Sequence, residues 1–303
     1  MSKDKKKKKK QEEPQEYKKP LIRRRKPNRS IGGDVALGIF LALMALIMAF
    51  PIIFAVANAL KPLDELFKNP PRILALNPTT DNFSDLFVTM SKSWVTFTRY
   101  LFNTVFITAV GTAGHLIIAS MGAFVLAKYE FPGNQVFFKI VTVAIMFTGY
   151  VTGIPNYILL SKLGWIDTYW AIIIPAFASP MGMFLMKQYM ESLPMSLVEA
   201  AKIDGANEWK VFTSIVLPNV KPAWMTLIIF SVNGLWNNQA STVIYSEEKK
   251  TLPFAMNQIQ GGGIARTGQA AAVMVVLMVV PISIFIFSES QILETMASSG
   301  MKD

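Results

Sequence analysis

The sequence predicts an all-α fold, a polytopic bundle of six transmembrane helices with both chain termini on the cytoplasmic side. Three observations predict it. The 303 residues are 52% hydrophobic with a mean hydropathy of +0.36, too apolar for one soluble domain. Apolar segments of roughly the 20 residues that a bilayer requires recur six times between polar connections. Finally, residues 1–30 hold 14 Lys/Arg against 4 Asp/Glu, which accounts for the whole net charge of +10. Such a basic bias marks the inner side of a membrane.

Residues 1–34 read as a disordered basic cytoplasmic tail. Its Lys5–Lys10 run and Arg23-Arg24-Arg25 leave too little apolar content to fold alone. Aromatic interleaving and nucleic-acid-binding motifs are absent, so contact with anionic lipid headgroups is the expected role. The apolar segment that follows is too long for a cleaved signal peptide. A transmembrane domain is expected over 35–287 and a cytoplasmic C-terminal tail over 288–303. The six spans are Val35–Leu60, Tyr100–Ala127, Val136–Leu159, Tyr169–Lys187, Ala223–Tyr245 and Gln269–Phe287. Pro51 is expected to kink the first, while Pro175, Pro180 and Pro281 fall in later ones, where neighbouring helices can satisfy the freed carbonyls.

Orientation follows from the basic residues. With the N-terminus inside, the inner segments and helix ends carry 21 Lys/Arg and the outer segments (61–99, 160–168 and 246–268) carry nine. Most of that bias is the tail. The polar stretch 188–222 then lies inside.

Within it, Glu199 to Pro218 is a helix, a forced turn and a second helix. Ser196 and Glu199 have the spacing of a capping box, which starts the first helix at Leu197. Leu197, Ala200, Ala201 and Asp204 fall at i, i+3, i+4 and i+7 on one face, with two alanines that admit a close neighbour. Gly205 supplies the positive φ that ends the helix, and Asn207 caps the next one. That second helix carries Phe212, Ile215 and Val216 and stops before Pro218.

This string resembles the EAA loop of membrane subunits of bacterial ABC importers. Glu199-Ala200-Ala201, Gly205 and Ile215-Val216-Leu217-Pro218 hold that family's spacing without a gap. In the family the loop docks into a groove on a separate ATPase subunit. The alternative is an ordinary helical hairpin, which has no need of that spacing.

The spans contain no Asp, Glu, Lys or Arg in their interiors, so the ionisable group that proton- or sodium-coupled carriers place at mid-membrane is missing. No Gly is followed by Lys, which excludes the phosphate-binding loop. With no cysteine and one histidine, thiolate chemistry is excluded and a zinc site is not expected. Neutral polar residues do occur. Asn233 and Asn237 lie i, i+4 in the fifth span, beside Trp236, Asn238 and Gln239. Thr148, Gly149, Tyr150, Gly153 and Asn156 form a second polar patch in the third. Amides and rings of this kind suit a hydroxyl-rich ligand, and they equally suit hydrogen bonds between helices. Thr104, Thr108, Gly111, His115, Ala119 and Gly122 make a small-residue stripe for close helix packing, across which His115 is expected to donate a hydrogen bond.

The resemblance extends over roughly nine-tenths of the chain, to the six-span, maltose-permease-type subunit of carbohydrate importers. Lys61-Pro62, Asn77-Pro78-Thr79 and Asn82-Phe83 are similar to its first outer loop. Arg99-Tyr100 to Asn103, Phe131-Pro132-Gly133, Asp167-Thr168-Tyr169-Trp170, Ile174-Pro175 and Leu235-Trp236-Asn237 follow in family order. The closing Ser299-Gly300-Met301-Lys302 resembles a tail that contacts the ATPase pair. Two features depart from the pattern: the basic tail, and Asn238-Gln239-Ala240 where an acidic residue and aromatics are usual.

The resemblance implies a type I ABC importer permease in the bacterial cytoplasmic membrane, translocating a sugar or oligosaccharide. Implied partners are two ATPase subunits that hold the ATP and Mg, a second permease subunit and an extracytoplasmic binding protein. No cofactor and no catalytic or metal-binding residue is expected in this chain. Alternatives are a related permease for an amino acid or phosphate, or a membrane sensor or scaffold coupled to an ATPase. Asn233, Trp236, Asn237, Asn156 and Tyr150 are the candidate translocation path.

Overall fold

The computed structural model describes residues 31–299 apart from 69, 71, 148, 264 and 265. The described residues fall into two units, one ending at Phe50 and the other beginning at Pro51. In the first, the described residues belong to helix α1 (Ile31–Ala59), which is continuous through Pro51. Its Ile39, Phe40, Leu46 and Met48 are exposed, an apolar surface fit for lipid.

The second unit is helical throughout, and among the described residues the chain has no β-strand. Its axis is α4 (Phe97–Lys128), preceded by α2 (Leu63–Leu66) and α3 (Asp81–Ser91). At 1.5 Å per residue, the 32 residues of α4 span about 48 Å. After it come α5 (Asn134–Ile145), α6 (Gly149–Lys162), α7 (Trp170–Phe177) and α8 (Pro180–Glu191). A hairpin follows, built from α9 (Met195–Ile203) and a second leg of α10 (Glu208–Lys210), a π-helical segment (Val211–Val216) and α11 (Leu217–Asn219). The chain closes with α12 (Lys221–Trp236), a 3₁₀ turn at Glu247–Lys249, α13 (Leu252–Gln260) and α14 (Thr267–Ser299).

The small-residue stripe on α4 packs as expected. A Cβ at Gly111 would run into Leu235 of α12, one at Gly114 into Phe177 of α7, and one at Gly122 into Met183 of α8. Such close approach supplies dispersion contact where the hydrophobic effect is weak, because lipid tails are as apolar as leucine. Apolar clusters mark three levels along α4. Tyr100 joins Leu86, Met256 and Val273 at its N-terminal end. Ile107 meets Ile172, Ile173 and Leu235 in the middle. Ala119, Ala123 and Phe124 meet Met186, Val198 and Val216 at the hairpin end. His115 differs from expectation: its Nε2 has no hydrogen-bond partner among the described residues, because it faces Gly182, where even a methyl group would clash with the ring.

Among the described residues, four helical stretches are long and apolar enough to cross a membrane: Gly32–Ala59, Phe97–Lys128, Trp170–Glu191 and Thr267–Ser290. A fifth candidate pairs Glu208–Asn219 with Lys221–Trp236, bent by 81°. The segment expected as the third span is divided between α5 and α6, of 12 and 14 residues. The expected fifth span ends at Trp236 rather than Tyr245, where Asn237-Asn238-Gln239 hands over to a turn. Thr148 of the expected polar patch lies outside the described residues, as do the basic tail to residue 30 and Gly300, Met301 and Lys302. Ser299 ends α14.

Candidate functional site

The hairpin begins two residues earlier than its spacing suggests. Pro194 is the N-cap of α9 at φ −57° and ψ 135°, so Ser196 already lies inside the first turn and the expected capping box does not form. Proline at this position fixes an extended entry, and the helix starts behind it. The other end follows the sequence closely. Gly205 takes φ +80°, the Ala206 amide donates to the Ala201 carbonyl at 3.0 Å, and the Gly205 amide donates to the Lys202 carbonyl at 3.0 Å. This is a Schellman closure, which satisfies the last carbonyls of α9. The Asn207 side chain then accepts from the Lys210 amide at 2.8 Å and caps α10.

Pro218 does not stop the second leg, which runs on to Asn219. The helix widens to π geometry over Val211–Val216 just before it. A proline lacks its N–H and crowds the carbonyl four residues earlier, so a wider turn gives the ring room.

The four-residue face expected on α9 is also divided. Ala201 turns inward with Val198 onto the bundle, whereas Leu197, Ala200, Asp204 and Glu199 are exposed. Ile215 and Leu217 pack against the same inward cluster, and Pro218 is exposed. What the sequence reading missed is a hydrophobic tip around the glycine turn. Ile203 is 87% and Trp209 60% exposed, flanking Gly205.

The tip is held firmly. Phe212 packs on Phe124 at 5.3 Å between ring centroids, and Phe124 meets Tyr129 edge-on. The Tyr129 hydroxyl donates to Glu208, whose carboxylate also pairs with Lys202 at 2.7 Å. Lys202 lies over the Tyr129 ring at 4.9 Å. The Lys202 ammonium, then the Tyr129 hydroxyl, hold the Glu208 carboxyl below its usual range, and Glu208 in turn raises Lys202. Beside them, buried Lys128 donates to the Leu193 carbonyl at 2.6 Å.

A second feature lies between α4, α6, the α7–α8 break and α12. It is a cavity of about 410 Å³ whose lining includes His115, Asn156, Ser179, Ser231, Asn238 and Thr242 and, among the described residues, no charged side chain. Ser179 ends the break and accepts from the Gly182 amide at 3.2 Å. Of the residues expected on a path, Asn156 alone lines this cavity. Trp236 is 3% exposed and donates to the Leu277 carbonyl of α14 at 2.9 Å, a bond between helices rather than a lining group. Asn233 and Asn237 are exposed and bonded to each other, and Asn233 borders a separate, smaller cavity against Pro281 and Phe285. The Tyr150 backbone is in α6; its side chain lies outside the described residues.

A clasp fixes the loop over this cavity. The Asp167 amide donates to the Val243 carbonyl at 2.8 Å, and its carboxylate accepts from the Tyr245 and Ser246 amides, the Ser246 hydroxyl and Lys249. Partial burial pushes this carboxyl up. The Ser246 hydroxyl and amide, the Tyr245 amide and Lys249 outweigh it and hold the group well below the carboxylate range.

A helical membrane bundle that presents an anchored, glycine-hinged hairpin at one end is a transport subunit in class. The family model described as "Binding-protein-dependent transport system inner membrane component" matches residues 72–295, and the chain belongs to that family. It is a multi-pass component of the bacterial cytoplasmic membrane and an ABC transporter permease. Similar relatives include the arabinooligosaccharides transport system permease protein AraQ of Halalkalibacterium halodurans, 30% identical over 86% of this chain and 94% of that one. Protein LplC of Bacillus subtilis is 32% identical over 74% of this chain and 73% of its own length. Among solved structures, a chain of a bacterial ABC transporter involved in the import of the acidic polysaccharide alginate superposes with a TM-score of 0.74. It is 22% identical and covers 88% of this chain and 99% of that one. The shared fold is that of a type I ABC importer permease.

Proposed function

We propose that this chain is a permease subunit of an ATP-driven importer, translocating a sugar or oligosaccharide delivered by an extracytoplasmic binding protein. The hairpin tip carries the reading. Leu197, Glu199, Ala200, Asp204 and Gly205, with exposed Ile203 and Trp209, form the contact for a separate ATPase, and Ala201, Ile215 and Leu217 anchor it to the bundle. Pro218 sets the widened turn behind the lever.

Two ATPase subunits holding ATP and Mg would engage this hairpin and its counterpart on a second permease; this chain itself catalyses nothing. The Ser299–Lys302 tail would add a further ATPase contact. With the hairpin cytoplasmic, the Asp167 clasp faces outward, where the binding protein delivers. Closure of the ATPase pair pulls the hairpin, and the spans rock between inward- and outward-open states because the tip's contact energy differs between them.

The test is reconstitution with the partner subunits in liposomes. ATP-dependent accumulation of an oligosaccharide is expected. Binding-protein-stimulated ATP hydrolysis without accumulation of any solute would instead indicate a sensor.

A further inference from the structure

We infer that the 410 Å³ cavity is a neutral-sugar subsite carried by this chain, taking one or two uncharged rings and rejecting uronates. The inference rests on the importer reading above. Its size falls within the range of roughly 300–1,000 Å³ typical of small-molecule pockets. The lining supplies donors and acceptors in the mixed pattern that hydroxyl groups need: two amides, three hydroxyls and an imidazole.

The decisive observation is that most of these groups are unspent. Asn103 of the same bundle is spent by contrast: it donates to the Glu248 and Lys250 carbonyls and accepts from Tyr169. In the cavity, the side chains of Asn156, Ser231 and Thr242 make no hydrogen bond among the described residues. Asn238 uses only its carbonyl, to accept from the Ala240 amide at 2.8 Å. His115 lines the wall with its ring, its Nε2 being turned to Gly182. Asn156 and Thr242 are exposed and Asn238 half-exposed, so their amides and hydroxyl are free to bond a ligand rich in hydroxyls.

The loop that brings Asn238 and Thr242 is also fixed in advance. Asp167 holds it at Val243, Tyr245 and Ser246, and Thr251 donates to the Asn238 carbonyl at 2.8 Å. Contact groups ordered before binding lose less entropy when the ligand arrives. Charge decides the ligand class. Among the described residues no Lys or Arg lines the cavity, so a carboxylate would be desolvated there without a counter-ion.

The experiment uses the complete reconstituted complex and measures ATP-dependent uptake of labelled neutral arabino-, galacto- and maltotrioses beside trigalacturonate. A neutral trisaccharide is expected to be accumulated in preference. Asn156→Leu and Asn238→Leu should each raise its KM about tenfold, the value of one lost hydrogen bond that leaves its partner unsatisfied. Asn238→Gln should recover most of that loss, which separates lost contact from lost folding. Preferential accumulation of trigalacturonate, or an unchanged KM in both leucine variants, would overturn the subsite and leave the importer reading standing. Accumulation of none of the four by the unmodified complex would overturn the importer reading, and the subsite with it.

Discussion

Lys202 and Glu208 stand 2.7 Å apart across the Gly205 turn, closing the hairpin at its tip. The pair ties the end of α9 to the start of α10, and Tyr129 ties both to the long helix behind them. A lever needs this stiffness: a pull on the tip moves α4 and α12 only if the hairpin does not yield first. The hinge and the brace therefore make separate predictions.

Gly205→Val should insert into the membrane normally and uncouple the complex. A Cβ there would touch nothing, so the penalty comes from φ +80° alone, about 1–2 kcal/mol for a non-glycine residue. Gly205→Asn should be tolerated better, since asparagine enters this region more readily. Ligand-stimulated ATP hydrolysis and uptake are expected to fall at least tenfold in the valine variant. Equal activity in valine and glycine forms would refute the hinge.

Glu208→Gln should loosen the tip in a pH-dependent way. The folded carboxyl is held below its free value by Lys202 and Tyr129. Its stabilisation is therefore full above the unfolded glutamate pKa of about 4.3 and is lost as pH falls through the lower folded value. Lys202 is raised, chiefly by Glu208, so its share is lost only as pH climbs beyond the ordinary lysine range. Proteolysis at the hairpin should thus separate wild type from Glu208→Gln at pH 7, with the difference shrinking as pH falls through the lowered folded value.

Asp167→Leu should free the loop at 240–250. Asp167 has φ +60°, which aspartate tolerates and leucine does not, and the substitution also removes the acceptor for two amides, a hydroxyl and an ammonium. A loss of several degrees in Tm is expected at pH 7. Because the folded carboxyl lies below its free value, wild type keeps this advantage down to acid pH and loses it as pH falls through that folded value. A melt unchanged by the substitution would rule the clasp out.

Trp236→Phe should cost stability without changing ligand handling. It removes the bond to the Leu277 carbonyl, worth about 1 kcal/mol, or roughly 2–4 °C in Tm. A change in transport KM with no change in Tm would return Trp236 to the path.

How far the sequence carried this reading depends on the range of the interaction involved. The Gly205 turn and the Asn207 cap were legible because both are set within a few residues. Ser196 reads as the start, yet the extended backbone of Pro194 begins the helix two residues earlier. Ala201 and Ala200 look alike in sequence; which one packs inward is decided by Val198 and the cluster beneath it. Lys61 and Asn82 were quoted as motif fragments and Glu65 was not, yet the three form one knot. Lys61 donates to the Arg72 carbonyl, Glu65 accepts from the Leu76 and Asn77 amides, and Asn82 donates to the Ala59 and Lys61 carbonyls. The cavity was least legible, since its groups lie up to 127 residues apart between His115 and Thr242. One signal was present: the Pro175 and Ser179-Pro180 breaks in an apolar span, where helix geometry gives way and polar groups can collect.

The chain has no cysteine, so Ile203→Cys places a single thiol on the most exposed large side chain of the hairpin tip. In the reconstituted complex, a short thiol-directed photocrosslinker at that position should capture the ATPase subunit, and the yield should change between the ATP-bound and ADP-bound states. A thiol that reacts only with lipid or water-borne probes in every nucleotide state would contradict the lever.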